Sequence, residues 1–213
     1  MRVLARDPAA AAKRLGSGAE VVKGDLTQPD TLPAALRNVR HIIFTAGVRS
    51  GRFVGERTVR ATEYEGMLHT LEAARSEGFR GRFVYMTTIG VTQSSLLVTC
   101  LNLWKGNTVR WRRRAENALR ECGLDYSVVR AAILLNRPPG TRPVRVSQEE
   151  SRLTFREFIA RADVAAGLVA AMDHPSGSRT TFEIRWDRQA ETLPWCALLD
   201  HLKPDSTRGP RAV

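Results

Sequence analysis

The stretch RVLARDP (residues 2–8) opens the chain as a short apolar strand, and EVVKGDL (residues 20–26) and HIIFTAG (residues 41–47) repeat the pattern. Runs of this length and composition are typical of buried strands. Helical stretches separate the three runs. Alternation of buried strands with helices predicts a parallel sheet joined by crossover helices, so we expect an α/β fold.

The rest of the chain continues this alternation. We expect helices over residues 56–77, 107–121, 161–172 and 193–202, and strands over residues 82–88, 125–131 and 181–185. Gly78 and Gly123 are the stop signals of the first two helices. Residues 137–150 are rich in proline and charge, which predicts a loop over the carboxyl edge of the sheet, where such sheets bind ligands.

Length and composition favour one domain over residues 1–213, with residues 203–213 as a frayed tail. The sequence has no run of about 18 apolar residues that could span a membrane, and its start lacks the apolar core of a signal peptide, so we expect a cytoplasmic protein. Cys100, Cys122 and Cys196 lie far apart, which indicates neither a disulfide framework nor a metal site. The oligomeric state stays open.

The chain is strongly basic, with a formal net charge of +11, and 29 of its 33 basic residues are arginine. Such a charge could serve nucleic-acid binding. The arginines are scattered, however, and the one dense run, Arg110, Arg112, Arg113 and Arg114, is explained at least as well by a solvated helix face. We therefore do not expect a nucleic-acid partner.

One motif is absent from the sequence. Parallel sheets that bind dinucleotides carry G-x-G-x-x-G after the first strand, because the backbone and a helix N-terminus must approach the pyrophosphate. No such motif occurs in these 213 residues. The chain therefore starts at what would be the second strand of such a sheet.

Several motifs occur in an order that is itself informative. They are RVLARDP, VVKGDL at 21–26, TAG at 45–47, TEYEG at 62–66, WRRRAENALRECGLDYSVVRA at 111–131, RADVAAG at 161–167 and TTFEI at 180–184. Over residues 2–202 this order resembles the atypical, extended-type short-chain dehydrogenase/reductases, in particular the NAD(P)-binding NmrA-like group. The resemblance implies a Rossmann-like, doubly wound parallel sheet with helices on both faces, here N-terminally truncated.

In that family the missing first strand lies between the second and the fourth, so its loss would leave an internal gap. One explanation is a start codon farther upstream, in which case in-frame codons before Met1 encode a strand and a G-x-x-G-x-x-G-like loop. The other is that the second strand has paired directly with the fourth and the site is vestigial. We favour the first.

The resemblance also implies a dinucleotide site. Arg6 matches the position that meets the adenosine 2′-phosphate, which favours NADP, although Asp7 keeps NAD open. Arg6 could instead be a solvated loop charge, and Asp25 a turn residue or helix cap before Thr27. The cofactor-binding residues implied are Arg6, Asp25, Leu26, Thr45, Ala46, Gly47, Thr88, Arg112 and Ala131.

The catalytic positions depart from the usual serine, tyrosine and lysine. Thr88 matches the serine and Arg112 the lysine, so these two residues are the predicted catalytic pair. Thr88 could equally satisfy a strand end. Thr108 occupies the tyrosine position and supplies no phenol. The resemblance thus implies either a reductase of a small carbonyl, enone or flavin-type acceptor, or a non-catalytic NADP-dependent regulator or assembly factor.

Overall fold

A computed structural model describes residues 1–48 and 54–206 and confirms the α/β fold. The strands are β1 (Arg2–Ala5), β2 (Glu20–Lys23), β3 (His41–Phe44), β4 (Arg82–Thr88), β5 (Asp125–Ala131), β6 (Ile133–Leu135), β7 (Val144–Ser147), β8 (Phe158–Ala160) and β9 (Thr180–Trp186). Strands β4 and β5 have the predicted bounds. The first three strands have four residues each and are shorter than predicted, because the last three residues of each predicted run lie in the turn or helix that follows.

The helices are α1 (Pro8–Leu15), α2 (Pro33–Leu36), α3 (Glu56–Val59), α4 (Gly66–Ser76), α5 (Leu96–Trp104), α6 (Thr108–Glu121), α7 (Arg161–Asp173) and α8 (Trp195–Leu199). A π-helical segment, Arg60–Glu65, joins α3 to α4. The predicted helix over residues 56–77 is therefore one continuous helix with a wider turn in its middle. Gly78, with φ +67°, follows it. No helix in the described part of the chain is long and apolar enough to cross a membrane.

The main sheet has the strand order β3-β4-β5-β9-β7. Its first four strands are parallel, and β7 pairs antiparallel with β9. Strands β1 and β2 form a separate parallel pair, as do β6 and β8. Within residues 1–48 and 54–206, β1 has β2 as its strand partner and does not pair with β3, so the alternative of direct re-pairing is wrong.

Two apolar cores cover the two faces of the main sheet. Side chains alternate along β4, with Phe83 and Tyr85 in one core and Val84 in the other. The first core receives Met67 and Leu71 of α4 and Ala115 and Leu119 of α6. The second receives Val164 and Leu168 of α7 and Leu199 of α8. Helices therefore pack on both faces, as expected.

A buried charge cluster ties α6 to β5. The carboxylate of Glu116 has no exposed surface and accepts two hydrogen bonds from Arg130, at 3.2 Å from Nε and 2.8 Å from Nη2. Arg120 adds a third, at 2.9 Å. Burial alone would raise the pKa of Glu116, but the charges and hydrogen bonds of the two arginines outweigh it and the pKa is lowered. Glu116 is therefore ionised at neutral pH.

Three segments differ from the sequence-based expectations. The predicted loop over residues 137–150 contains β7. Helix α5 (LLVTCLNLW) was not predicted, since its apolar residues show no clear period. In the predicted tail, Asp205 accepts hydrogen bonds from the hydroxyls of Tyr126 and Thr181, at 2.9 and 2.6 Å. Residues 207–213 of that tail lie outside the described residues.

Candidate functional site

The carboxylate of Glu63 is the centre of the candidate site. Glu63 lies in the π-helical segment and is 2% exposed. It accepts hydrogen bonds from Arg112 Nε at 3.0 Å, Thr108 Oγ1 at 2.5 Å and the Val48 amide at 3.0 Å. The buried carboxylate of Glu63 thus connects the π-helical segment to the loop after β3 and to the start of α6.

Arg112 is held as a cation in this site. Burial alone would lower the pKa of its guanidinium, but the adjacent Glu63 carboxylate outweighs burial and raises it. The same environment lowers the pKa of Lys105, first through burial and then through the charge of Arg112. Nη1 of Arg112 makes no hydrogen bond to the described residues, whereas Nε and Nη2 both bind Glu63. One edge of the guanidinium therefore remains available to a ligand.

The loop after β3 passes directly over Arg112. A Cβ built on Gly47 would lie 2.6 Å from Nη2 of Arg112 and 3.3 Å from Oε1 of Glu63. Only glycine fits at this approach without moving the ion pair. Thr45 is exposed, while Ala46 packs against the core below. The TAG segment therefore brings bare backbone to the guanidinium.

The loop after β2 contacts α4, the helix that continues the π-helical segment of Glu63. The Leu26 carbonyl accepts a hydrogen bond from His69 Nδ1 at 2.8 Å, and a Cβ on Gly66 would lie 2.8 Å from the Leu26 Cβ. Asp25 Oδ1 accepts hydrogen bonds from the amide and the hydroxyl of Thr27, both at 2.9 Å. These bonds, led by the one from the amide, lower the pKa of Asp25. Its carboxylate thus has the turn role that we considered as an alternative.

Arg6 is exposed immediately after β1 and forms no hydrogen bond or ion pair with the described residues. Its charge contributes to the lowered pKa of Asp25. Asp7 is engaged elsewhere, because its Oδ1 caps α1 by accepting the Ala10 amide at 3.0 Å. Arg6 is therefore the free charged group at this strand end.

The two threonines at catalytic positions have different environments. Thr88 is half-buried at the end of β4 and its hydroxyl donates to the Ile89 carbonyl at 3.2 Å, a long and replaceable bond. Thr108 is buried and committed to Glu63. Ala131 is buried and its carbonyl accepts the Ile89 amide at 3.0 Å, so it supports the turn after Thr88.

The structure thus groups Leu26, Ala46, Gly47 and Arg112 around residues 63–66, with Thr88 at the end of the neighbouring strand. Sequence reasoning assigned no role to Glu63, although TEYEG contains it and an acid in a buried helix turn needs a cationic partner. The described residues hold no cluster of three or more potential metal ligands. All three cysteines are free thiols.

Comparisons with known proteins identify the family and the fold. The model of a family described as NAD(P)H-binding matches residues 1–175. Sanguinarine reductase of Eschscholzia californica is 26% identical over 208 residues, which cover 82% of this chain and 75% of that protein. The photosystem II assembly factor Ycf39 of Synechocystis is 23% identical over 172 residues, covering 78% and 49%. The anaerobillin reductase of Escherichia coli O157:H7 shares the fold, with a TM-score of 0.68, 21% identity and coverage of 96% and 86%.

Proposed function

The chain belongs to this family of NAD(P)H-binding proteins, and from that premise we propose that it binds NADP(H) at the carboxyl ends of β1 to β4 and reduces a small acceptor. The acceptor classes that suit this chemistry are carbonyls, enones and flavin-type compounds. The grouping of the strand-end loops around the Glu63–Arg112 ion pair carries the proposal. The cytoplasm is our proposed location, on sequence grounds alone.

The residues present fit the adenosine half of NADP(H) and the nicotinamide ribose. Arg6, without a protein partner among the described residues, suits the 2′-phosphate. Asp7, the acid that would favour NAD, caps α1 through Oδ1. Arg112, held charged by Glu63 and crossed by Gly47, suits a ribose hydroxyl. In the space between the edges of β1 and β3, however, the described residues place no strand and no glycine loop that could hold the pyrophosphate.

When bound, NADPH supplies a hydride to the acceptor. The chain's own contribution would come from Thr88 and Arg112. The Thr88 hydroxyl would give up its long bond to the Ile89 carbonyl and donate to the acceptor oxygen, where negative charge develops. Arg112 would fix the ribose, since its ion pair prevents the guanidinium from swinging away.

The second candidate function is a non-catalytic NADP-dependent regulator or assembly factor. The observation that favours it is Thr108, which stands where a phenol would deliver a proton and whose hydroxyl is already bound to Glu63. Ycf39, named as an assembly factor, is a relative of this chain. The fold does not choose between the two functions.

Turnover distinguishes the two functions. With saturating NADPH and a panel of quinones, flavins and aldehydes, we expect oxidation of NADPH with at least one acceptor. The loss of NADPH absorbance measures this oxidation. Thr88→Val should lower kcat by roughly tenfold or more, because it removes a donor to the developing oxyanion. Thr87→Val is the matched control, since its hydroxyl is buried in the same strand. Binding of NADPH without turnover of any acceptor would contradict the reductase and support the regulator.

A further inference from the structure

A recess lies beside the candidate site, between the turn after β4 and the start of α6. It has a volume of about 170 Å³. Its wall includes Thr92, Gln93 and Ser94 from the turn and Arg110 and Arg113 from α6. The turn leaves the sheet only two residues after Thr88. The wall of the recess therefore begins two residues along the chain from Thr88, the proposed contact of the reacting end of the acceptor.

Packing and hydrogen bonds fix the backbone on one side of this recess. A Cβ on Gly90, whose φ is +87°, would lie 2.9 Å from side-chain atoms of both Leu153 and Val98. Ser95 caps α5 by accepting the Val98 amide at 3.2 Å and donates to the Leu153 carbonyl at 2.9 Å. Asn102 accepts the Val109 amide through Oδ1 at 3.0 Å, which leaves its amide NH₂ as a donor. Contacts within the protein thus fix the start of α5 and the Asn102 side chain.

The arginine run on α6 divides into three roles. Arg112 is bound to Glu63, and Arg114 lies over the Trp111 ring, 4.7 Å from its centroid. Arg113 is half-buried in the recess wall and makes no hydrogen bond or ion pair with the described residues. Arg110 is exposed, and its guanidinium carbon lies over the Trp111 ring, 6.0 Å from the centroid. The run is therefore not a uniformly solvated face.

The lining of the recess contains basic and neutral residues but no acidic ones. The residues that line it are Gly90, Val91, Thr92, Gln93, Ser94, Val98, Asn102, Val109, Arg110 and Arg113, none of which is acidic. Neither guanidinium group is paired with a carboxylate of residues 1–48 or 54–206, and hydroxyl and amide donors lie beside both. Such a set of donors matches an oxyanion. A carboxylate or a phosphate group fits in this volume.

We propose that this recess binds an oxyanion carried by the acceptor, a carboxylate or a phosphate ester, with Arg113 as the principal ligand and Arg110 as the second. The proposal rests on the proposed function, because it assigns the recess to the acceptor of that reaction. The substrate class is then an anionic acceptor whose reducible group lies a short distance from its charged end. Binding the charged end orients the reducible group toward Thr88.

The test measures anion binding directly and without any nicotinamide cofactor. Inorganic phosphate and succinate are titrated separately into residues 1–213 at constant ionic strength, and the side-chain Nε–H signals of the arginines are followed by NMR. We expect saturable shifts for Arg113 and Arg110. Arg113→Ala should weaken binding by about tenfold or more, because it removes charge-assisted hydrogen bonds. Arg113→Lys should weaken it less.

Arg188→Ala is the matched control, since it removes one exposed arginine outside the recess. It should change the affinity by less than about twofold. Saturable binding of either probe that depends on Arg113 supports the proposal, and the tighter probe identifies the group on the acceptor. Absence of saturable binding of both probes, or an equal loss in Arg188→Ala, overturns it. Should Arg113→Ala not fold, Arg110→Ala and Arg113→Lys give the same comparison.

Failure here is distinguishable from failure of the proposed function. A chain that binds NADPH but neither anion refutes the recess alone. If Arg113 binds an anion but the chain extended by a preceding strand and glycine loop does not bind NADPH, the cofactor proposal is refuted and the oxyanion site stands.

Discussion

Glu116→Ala should lower the free energy of unfolding by about 3 to 5 kcal/mol. The carboxylate has no exposed surface and receives hydrogen bonds from both Arg130 and Arg120. Its removal leaves the Arg130 guanidinium, itself 5% exposed, without its bidentate partner between α6 and β5. Urea unfolding followed by circular dichroism measures the loss.

Glu121→Ala is the control for this prediction, because Glu121 is exposed at the end of the same helix. It should change the stability by no more than about 0.5 kcal/mol. The pH dependence adds a second check. Since the folded pKa of Glu116 lies below its ordinary value of 4.5, its contribution is present above pH 4.5 and is lost as the pH falls through the folded pKa. A loss below about 1 kcal/mol in Glu116→Ala would show that the cluster does not anchor α6.

A strand and a glycine loop placed before Met1 should tighten NADPH binding by more than about a hundredfold relative to residues 1–213. The edge of β1 away from β2 and the edge of β3 away from β4 have no strand partner in the described residues. A parallel strand there would pair on both sides and direct the loop at the pyrophosphate. Two or three charge-assisted hydrogen bonds, each worth about 1.5 to 3 kcal/mol, account for the gain.

Calorimetry on both chains measures this gain. The control segment keeps the strand and replaces the loop glycines with valine, so that the gap is filled but the backbone cannot approach the phosphates. We expect this control to recover stability without recovering affinity. A low-micromolar dissociation constant for residues 1–213 alone would show that the pyrophosphate binds elsewhere.

Elements with a strong apolar run could be predicted from the sequence. Strands β4 and β5 were predicted at their observed bounds, because each contains buried apolar residues, FVY in β4 and VV in β5, and each follows a helix that ends at a glycine. Strand β7 was missed because prolines surround a run of only four residues, and its register depends on β9, more than thirty residues away. The sequence pattern of a short segment does not show which distant strand that segment pairs with.

The candidate site shows the same limit more sharply. Arg6 and the TAG loop follow predicted strands, so their place at the sheet edge could be expected from order alone. The Glu63–Arg112 pair joins residues 49 positions apart, and the division of the arginine run into a buried, a stacked and two recess-lining groups depends on the side that α6 turns to its neighbours. Charge in the sequence does not reveal which cations are already paired.

In our proposal, the strand ends hold NADP(H) with Arg6 on the 2′-phosphate. This proposal is tested most directly by calorimetry of NADPH and NADH against the wild type and Arg6→Ala, in the chain carrying the glycine-loop segment. Only the phosphate distinguishes the two ligands, so the account predicts that Arg6→Ala weakens NADPH binding by about 1.5 to 3 kcal/mol and leaves NADH nearly unchanged. Equal losses for both cofactors, or no loss for either, would contradict it.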